Sequence, residues 1–350
     1  MAKTQAIGLD IGGTALRAAE VSTGRGGSVE LVRYAEQALP PNAVRDGEII
    51  DQDAVVPSLK ALWAQAGFSS KDVILGVGNQ HVAVRPLTMP RLPMAELQAS
   101  LSFQVQDSLP MPVEEAVLGF YPTGEASVEQ GAGLEGMLVA ASRTTVMTNI
   151  RAVEAAGLRP TVVDLTGFAL LRSMARGPLA SGTVALVDIG ARITTVVVAT
   201  DAQPKFVRAV PTGAMDLADA LSRALGMPLH EAERELHGRG LAVAEVLEYR
   251  DAAGPFGEAT RNLLEGVRNS ISFYSSTNRQ SPVGTVVLSG GGCIVPGLGQ
   301  AIASETRVRT LLGNPLEGLT VNRRVAGLDN LRGREGTMAM PVGLGMGAAA

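Results

Sequence analysis

The sequence predicts an α/β protein built from two duplicated halves that close on a ligand between them. Three observations carry that expectation. The stretch Ala6-Ile7-Gly8-Leu9-Asp10-Ile11-Gly12-Gly13-Thr14, followed by alternating apolar positions from Ala15 to Val21, reads as strand, tight glycine turn, strand. The same device returns between Val184 and Val198, with Asp188-Ile189-Gly190-Ala191-Arg192 at its turn. Downstream, the β-run Thr285 to Ser289 ends in Gly290, Gly291 and Gly292. Without side chains at Gly12 and Gly13, a turn can close its backbone N–H groups on a phosphate, and a glycine triplet lets backbone lie flat against a sugar and base. Asp10, at its strand end, can hold a hydrated Mg²⁺ or orient a water. One Asp-Ile-Gly alone is an ordinary hairpin turn; the ordered set of three is what points to a nucleotide.

The totals fit that reading. A chain of 350 residues accommodates two cores, and 46% hydrophobic against 18% charged residues excludes a disordered chain. A net charge of −4 and 3% aromatics argue against a nucleic-acid partner, since neither a basic footprint nor stacking platforms are evident. Cys293 is the lone cysteine, so an internal disulfide and a cysteine zinc site are excluded and a small buried hydrophobe is expected. Residues 280–304 carry no charge, but Pro282, Gly284, the glycine triplet, Pro296 and Gly297 interrupt them, which favours a buried strand, loop and helix over a membrane span. The first residues enter a strand almost at once, leaving no room for a signal peptide; a cytoplasmic protein without direct membrane insertion is expected.

In chain order, a glycine-rich turn from Ser22 to Ser28 precedes a strand at Leu31 to Ala35. Val55, Val56, Leu59, Leu62 and Trp63 recur at helical spacing up to Ala66, with Gly67 as C-cap and Trp63 facing the core. Val73 to Val77 reads as a buried strand. Val82 to Leu87 reads as a strand stopped by Pro86, and Met89 to Pro93 as a rigid turn. Met94 to Ser108 follows as a helix, with Leu97, Leu101, Phe103 and Val105 as its pattern. Then come a strand from Ala116 to Tyr121, a loose loop from Thr123 to Glu135, a strand from Gly136 to Ala141, a helix from Thr145 to Ala156 ending at Gly157, and a strand at Thr161 to Asp164. An insert of this size is a separate small subdomain. In the second half Phe206 to Val210 is a strand, and Gly213 to Gly226, Val243 to Tyr249 and Phe256 to Thr277 are helical. His230 and His237, seven apart on a charged helix, lack metal spacing and read as a solvated face.

Asp-Ile-Gly, Asp-Ile-Gly and Ser-Gly-Gly-Gly in that order resemble the phosphate 1, phosphate 2 and adenosine motifs of the actin, heat-shock chaperone and sugar kinase superfamily. Leu92-Pro93-Met94, Phe103 through Leu109-Pro110-Met111-Pro112-Val113-Glu114-Glu115, Val153 through Leu158-Arg159-Pro160, Phe168 to Ser173 and Ser270 to Tyr274 resemble, end to end, the PilM family, FtsA-like cytoplasmic components of type IV pilus assembly. The resemblance implies an actin-like ATPase fold with an FtsA-type 1C subdomain insert: 1–85 and 160–182 as subdomain 1A, 86–159 as 1C, 183–212 and 283–350 as 2A, and 213–282 as 2B. Pro341 to Gly345 resembles the second hinge helix, connect 2.

The resemblance further implies ATP and Mg²⁺ between the halves. Gly12, Gly13 and Thr14 would grip the outer phosphates from one side and Gly190, Ala191 and Arg192 from the other. Asp10 and Asp188 would hold Mg²⁺ through water and act as the catalytic carboxylates. Gly290, Gly291 and Gly292 would bed the adenosine. Glu265, Arg268 and Ser272 share one helix face, which is either an adenosine contact or an ordinary exposed stripe. Thr166 stands where the family commonly has a water-positioning Glu, so slow or absent hydrolysis is expected; Gln104 and Gln106 replace family glutamates on 1C. The implied partners are the cytoplasmic N-terminal tail of a PilN-like inner-membrane protein and other pilus assembly proteins, which would hold the chain at the inner face of the membrane. Two alternatives remain at this point: a sugar kinase, which begins with the same Leu9 to Thr14 pattern, and an FtsA-like polymerising protein.

Overall fold

In the computed structural model, which describes residues 4–24, 27–106, 109–128, 131–322, 325 and 331–349, two sheets of matching topology lie on either side of two helices. The first sheet has the order β10-β6-β1-β2-β3-β16 and the second β13-β12-β11-β14-β15. In the first, β1 (Thr4–Ile11), β2 (Ala15–Thr23) and β3 (Val29–Ala38) form an antiparallel meander, and β6 (Asp72–Val77) and β10 (Arg159–Leu165) add in parallel beside β1. In the second, β11 (Thr183–Ile189), β12 (Thr194–Thr200) and β13 (Gln203–Val210) repeat the meander, and β14 (Thr285–Ser289) and β15 (Arg309–Leu312) repeat the parallel additions. The expected duplication therefore extends over five strands of each half.

Each sheet packs its outer face on helices. Val55, Leu59 and Leu62 of α1 (Gln52–Ala66) join Ile7, Leu9, Leu75 and Val153 in the first core. Asp51 accepts from the Ala54 N–H to start α1, and Gly67 ends it in the left-handed conformation, its N–H on the Trp63 carbonyl. Trp63 lies against this core, donating Nε1–H to the Ser70 carbonyl at 3.0 Å. A two-strand hairpin, β4 (Val44–Arg45) with β5 (Glu48–Ile49), precedes α1.

The inner faces meet α4 (Thr166–Met174) and α9 (Ala339–Met346). Leu170, Leu171 and Met174 of α4 pack with Leu186, Val197 and Val287 of the second sheet, while Val342 of α9 packs with Ala19, Val21 and Leu31 of the first. This contact works only because glycines remove side chains where backbones touch: a Cβ on Gly343 would stand 1.8 Å from the Ala169 carbonyl oxygen, and one on Gly8 2.2 Å from that of Pro341. Of the stretch 283–350, expected in the second half, β14 and β15 belong to the second sheet, while the tail reaches across to the first. The short β16 (Thr320–Val321) pairs with β3, and α9 lies on β1 and β2, because the apolar face of the tail finds its complement there.

The insert is a three-stranded sheet, β7 (Ala83–Pro90), β9 (Gly131–Ser142) and β8 (Ala116–Val128), covered by α2 (Met94–Gln104) through Leu97 and Leu101, with Val105 just past its end in the same core. Pro86 does not stop β7, which runs on to Pro90 as an edge strand paired on one side only, where a missing N–H is tolerated. The expected loop from Thr123 to Glu135 is instead a continuation of the β8–β9 hairpin, because β9 is the central strand and is held in register by partners on both sides. Phe103 points to solvent rather than into the insert core. Residues 25–26, in the expected Ser22–Ser28 turn, 107–108, at the expected helix end, and 129–130 lie outside the described residues. The insert leads through α3 (Arg143–Ala155) back to β10.

In the second half α5 (Ala214–Leu225), α6 (Leu229–Arg239), α7 (Ala253–Thr277) and α8 (Leu298–Thr306) cover the outer face. Val243 to Tyr249 forms short 3₁₀ turns rather than an α-helix. No helix among the described residues is long and apolar enough to cross a membrane.

Candidate functional site

Asp10 and Asp188 end the matching strands β1 and β11, and the glycine turns that follow them face each other: a Cβ on Gly13 would stand 3.3 Å from that of Ala191. Between the turns lies a cleft of ≈350 Å³ lined by Asp10, Gly12, Gly13, Thr14, Asp188, Gly190, Ala191, Arg192 and all three glycines of the triplet. The turns close on themselves in the same way, with the Gly12 N–H on the Ala15 carbonyl at 3.0 Å and the Gly190 N–H on the Ile193 carbonyl at 2.9 Å. Gly290 takes a φ of 81°, which only glycine adopts readily, and a Cβ there would meet the Ile189 backbone at 2.5 Å.

Asp188 is buried and Asp10 half-buried, and the acidities of both are shifted. Burial pushes Asp188 up to about 7, with the nearby Asp10 charge adding to the rise; a hydrogen bond at 2.9 Å from the Ser289 hydroxyl, set opposite it by the β11–β14 register, opposes it. Burial also raises Asp10, against the pull of Arg17. Two carboxyls lining one cleft, close enough for the charge of one to raise the other, favour a bound divalent cation, which would restore both to the ionised form. The residues fit a nucleotide and its metal.

Arg17, which sequence reading missed, belongs to this site. It pairs with Asp10 across β1–β2 and with Glu36 across β2–β3, so Asp10, Arg17 and Glu36 form one row; its guanidinium holds Glu36 through two bonds of 3.2 Å. Tyr34 donates to Glu36 at 3.1 Å. A lone basic residue in a mostly apolar strand, directly after the glycine turn, was the available signal. Arg192 differs from the expected phosphate grip: its Nη1 is held by Asp216 at 2.9 Å and Asp219 at 2.5 Å, so it ties the second turn to α5 while lining the cleft. Thr166 also lines the cleft, packed so closely that its Oγ1 would stand 1.9 Å from a Cβ on Gly78.

Glu265, Arg268 and Ser272 are not brought to the cleft. Glu265 lines a separate pocket with Leu241 and Phe256, Arg268 pairs with Glu305 of α8, and Ser272 is exposed. The helix that reaches the cleft is α6, through Glu233 and His237. Cys293 is buried as expected, its thiol pushed up to about 12 by burial and by the Asp188 charge. No group of three or more His, Cys, Asp or Glu side chains among the described residues is placed to hold a metal.

The family model described as type IV pilus assembly protein PilM matches residues 8–348. The chain belongs to the PilM family. Within it, a solved PilM-PilN type IV pilus biogenesis complex superposes with a TM-score of 0.85 at 25% identity, over 99% of each chain. The cell division protein FtsA of Bacillus subtilis is 23% identical over 304 residues, 74% of this chain and 68% of that protein. The ADP-bound MreB5 of Spiroplasma citri shares the fold, with a TM-score of 0.54 at 9% identity over 97% and 94% of the two chains. The actin-like ATPase fold read from the hairpin pair is thus the fold of this PilM-family chain.

Proposed function

We propose that the chain is an ATP-binding scaffold of a type IV pilus or related assembly platform, which binds the cytoplasmic N-terminal tail of a PilN-like membrane protein. The observation that carries it is the approach of two mirrored glycine turns beside the carboxyls of Asp10 and Asp188, in a chain of the PilM family. Gly12, Gly13 and Thr14 would hold phosphates from the first half, Gly190 and Ala191 from the second, and the glycine triplet would bed the adenosine. Mg²⁺, held by Asp10 and Asp188 through water, would neutralise phosphate charge. A ligand touching both halves draws them together, and the hinge they share is the tight α4–α9 pair.

Turnover would be slow. Thr166, at the position where a water-positioning carboxylate would serve, offers only a hydroxyl, and Asp188 alone remains to polarise water. The stabilised first half would then present a groove between the sheet of β1–β3 and the insert to an extended tail, which can add its backbone there. Held through that partner, the protein would sit in the cytoplasm against the inner membrane. The PilM-family match supports this reading over a sugar kinase. The test is titration of a PilN-like N-terminal peptide against the protein with Mg·ATP: saturable binding is expected, and none at high micromolar peptide removes the reading.

A further inference from the structure

We infer that Glu36 is a positioning residue of the cleft: it fixes the guanidinium of Arg17 so that Nη1 stands at the Gly12 turn as a free donor for a phosphate oxygen. This rests on the cleft taking a nucleotide. Gly12, Arg17 and Glu36 all line the cleft. Nε and Nη2 of Arg17 each donate to the Glu36 carboxylate at 3.2 Å, so one edge of a rigid fork is held. Nη1 makes no hydrogen bond to any described residue, and a Cβ on Gly12 would stand 3.4 Å from it. The Gly12 N–H is already on the Ala15 carbonyl, so Nη1 adds a donor that the backbone of that residue does not offer. Glu36 is itself held from behind. The Tyr34 hydroxyl donates to it at 3.1 Å, and Tyr34 is buried in one cluster with Met338 and Val342 of the tail.

The duplicated frame contains its own comparison. Arg17 lies opposite Asp10 across the first hairpin, and Glu36 lies beside Arg17 on the next strand. At the matching places of the second hairpin, Thr195 lies opposite Asp188 and Ala209 lies beside Thr195. The acid accompanies the guanidinium and is missing where the guanidinium is missing. A carboxylate alone in a cleft for phosphates would oppose the ligand. Clamped on Arg17, it instead holds a long, rotamer-rich side chain in one orientation before the ligand arrives.

The test is a double-substitution cycle read by calorimetry with Mg·ATP. Glu36→Ala is expected to weaken binding about fivefold, the ~1 kcal/mol of immobilising one long side chain, although it removes a negative charge from the cleft. In the Arg17→Ala background the same substitution should leave binding unchanged or tighten it, because no guanidinium remains to be aimed. Glu36→Gln keeps the shape and an acceptor for Tyr34 but cannot accept from both guanidinium nitrogens at once; it should lose part of the affinity, and it carries the same comparison if the alanine variant does not fold. Unchanged or tighter binding by the Glu36 variants alone, or an equal loss with and without Arg17, overturns the inference and leaves nucleotide binding in place. Failure of the wild type to bind Mg·ATP overturns the nucleotide reading of the cleft and this inference with it.

Discussion

Replacing Asp188 by Asn should stabilise the nucleotide-free protein, and increasingly so as pH rises. The folded carboxyl titrates near 7 and the unfolded one near 3.8, so between these values the native state holds a proton that the unfolded state has released. Stability of the wild type therefore falls as pH rises across this window, the opposite of a carboxylate held by a salt bridge. A rise of about three units at ~1.36 kcal/mol each sets the full penalty on the order of 4 kcal/mol, reached above pH 7 and absent below pH 4. The amide keeps the hydrogen bond from the Ser289 hydroxyl, through its oxygen, and carries no charge to bury. Urea unfolding of both proteins without nucleotide, from pH 5 to 8, gives the difference directly, and it should widen in favour of Asn with pH. A difference that stays flat, or that shrinks with rising pH, would show that Asp188 is ionised in the empty cleft and refute the reasoning. In the same experiment, saturating Mg·ATP should reverse the order of the two proteins above pH 7, because only the carboxylate can serve the cation.

Two further substitutions test other links. Gly343→Ala, whose new methyl would fall on the Ala169 carbonyl, should force α9 and α4 apart at a cost of roughly 2–3 kcal/mol, read as a lowered urea midpoint; a midpoint within error of wild type would mean that the helix pair is not a tight hinge. Arg17→Ala should weaken Mg·ATP about 10- to 100-fold in calorimetry, the worth of a charge-assisted hydrogen bond of ~1.5–3 kcal/mol, and a change under twofold would remove Arg17 from the phosphate site.

The hairpins were legible because their chemistry is local. Asp10, Gly12 and Gly13 make a turn whatever surrounds them, and the repeat at Asp188 and Gly190 makes the second. The rest of the cleft was not legible in the same way. Spacing told which of Glu265, Arg268 and Ser272 share a helix face, but not which helix faces the cleft, and α7 turns that face toward Glu305 and solvent instead. His230 and His237 are exposed, in keeping with a solvated face, but nothing in the sequence showed that α6 also borders the cleft. Likewise Pro86 was read by its missing N–H alone, although an edge position makes that donor unnecessary.

By itself the sequence determined the duplicated halves, the two glycine turns, the glycine triplet and the family, because each depends on residue types within one short stretch or on their order along the chain. Only the tertiary structure decided the acidity of Asp188, the capture of Arg192 by Asp216 and Asp219, the passage of α9 under the first sheet and the helix that reaches the cleft. Those follow from burial and from contacts between residues far apart in the chain, which spacing along one element does not encode.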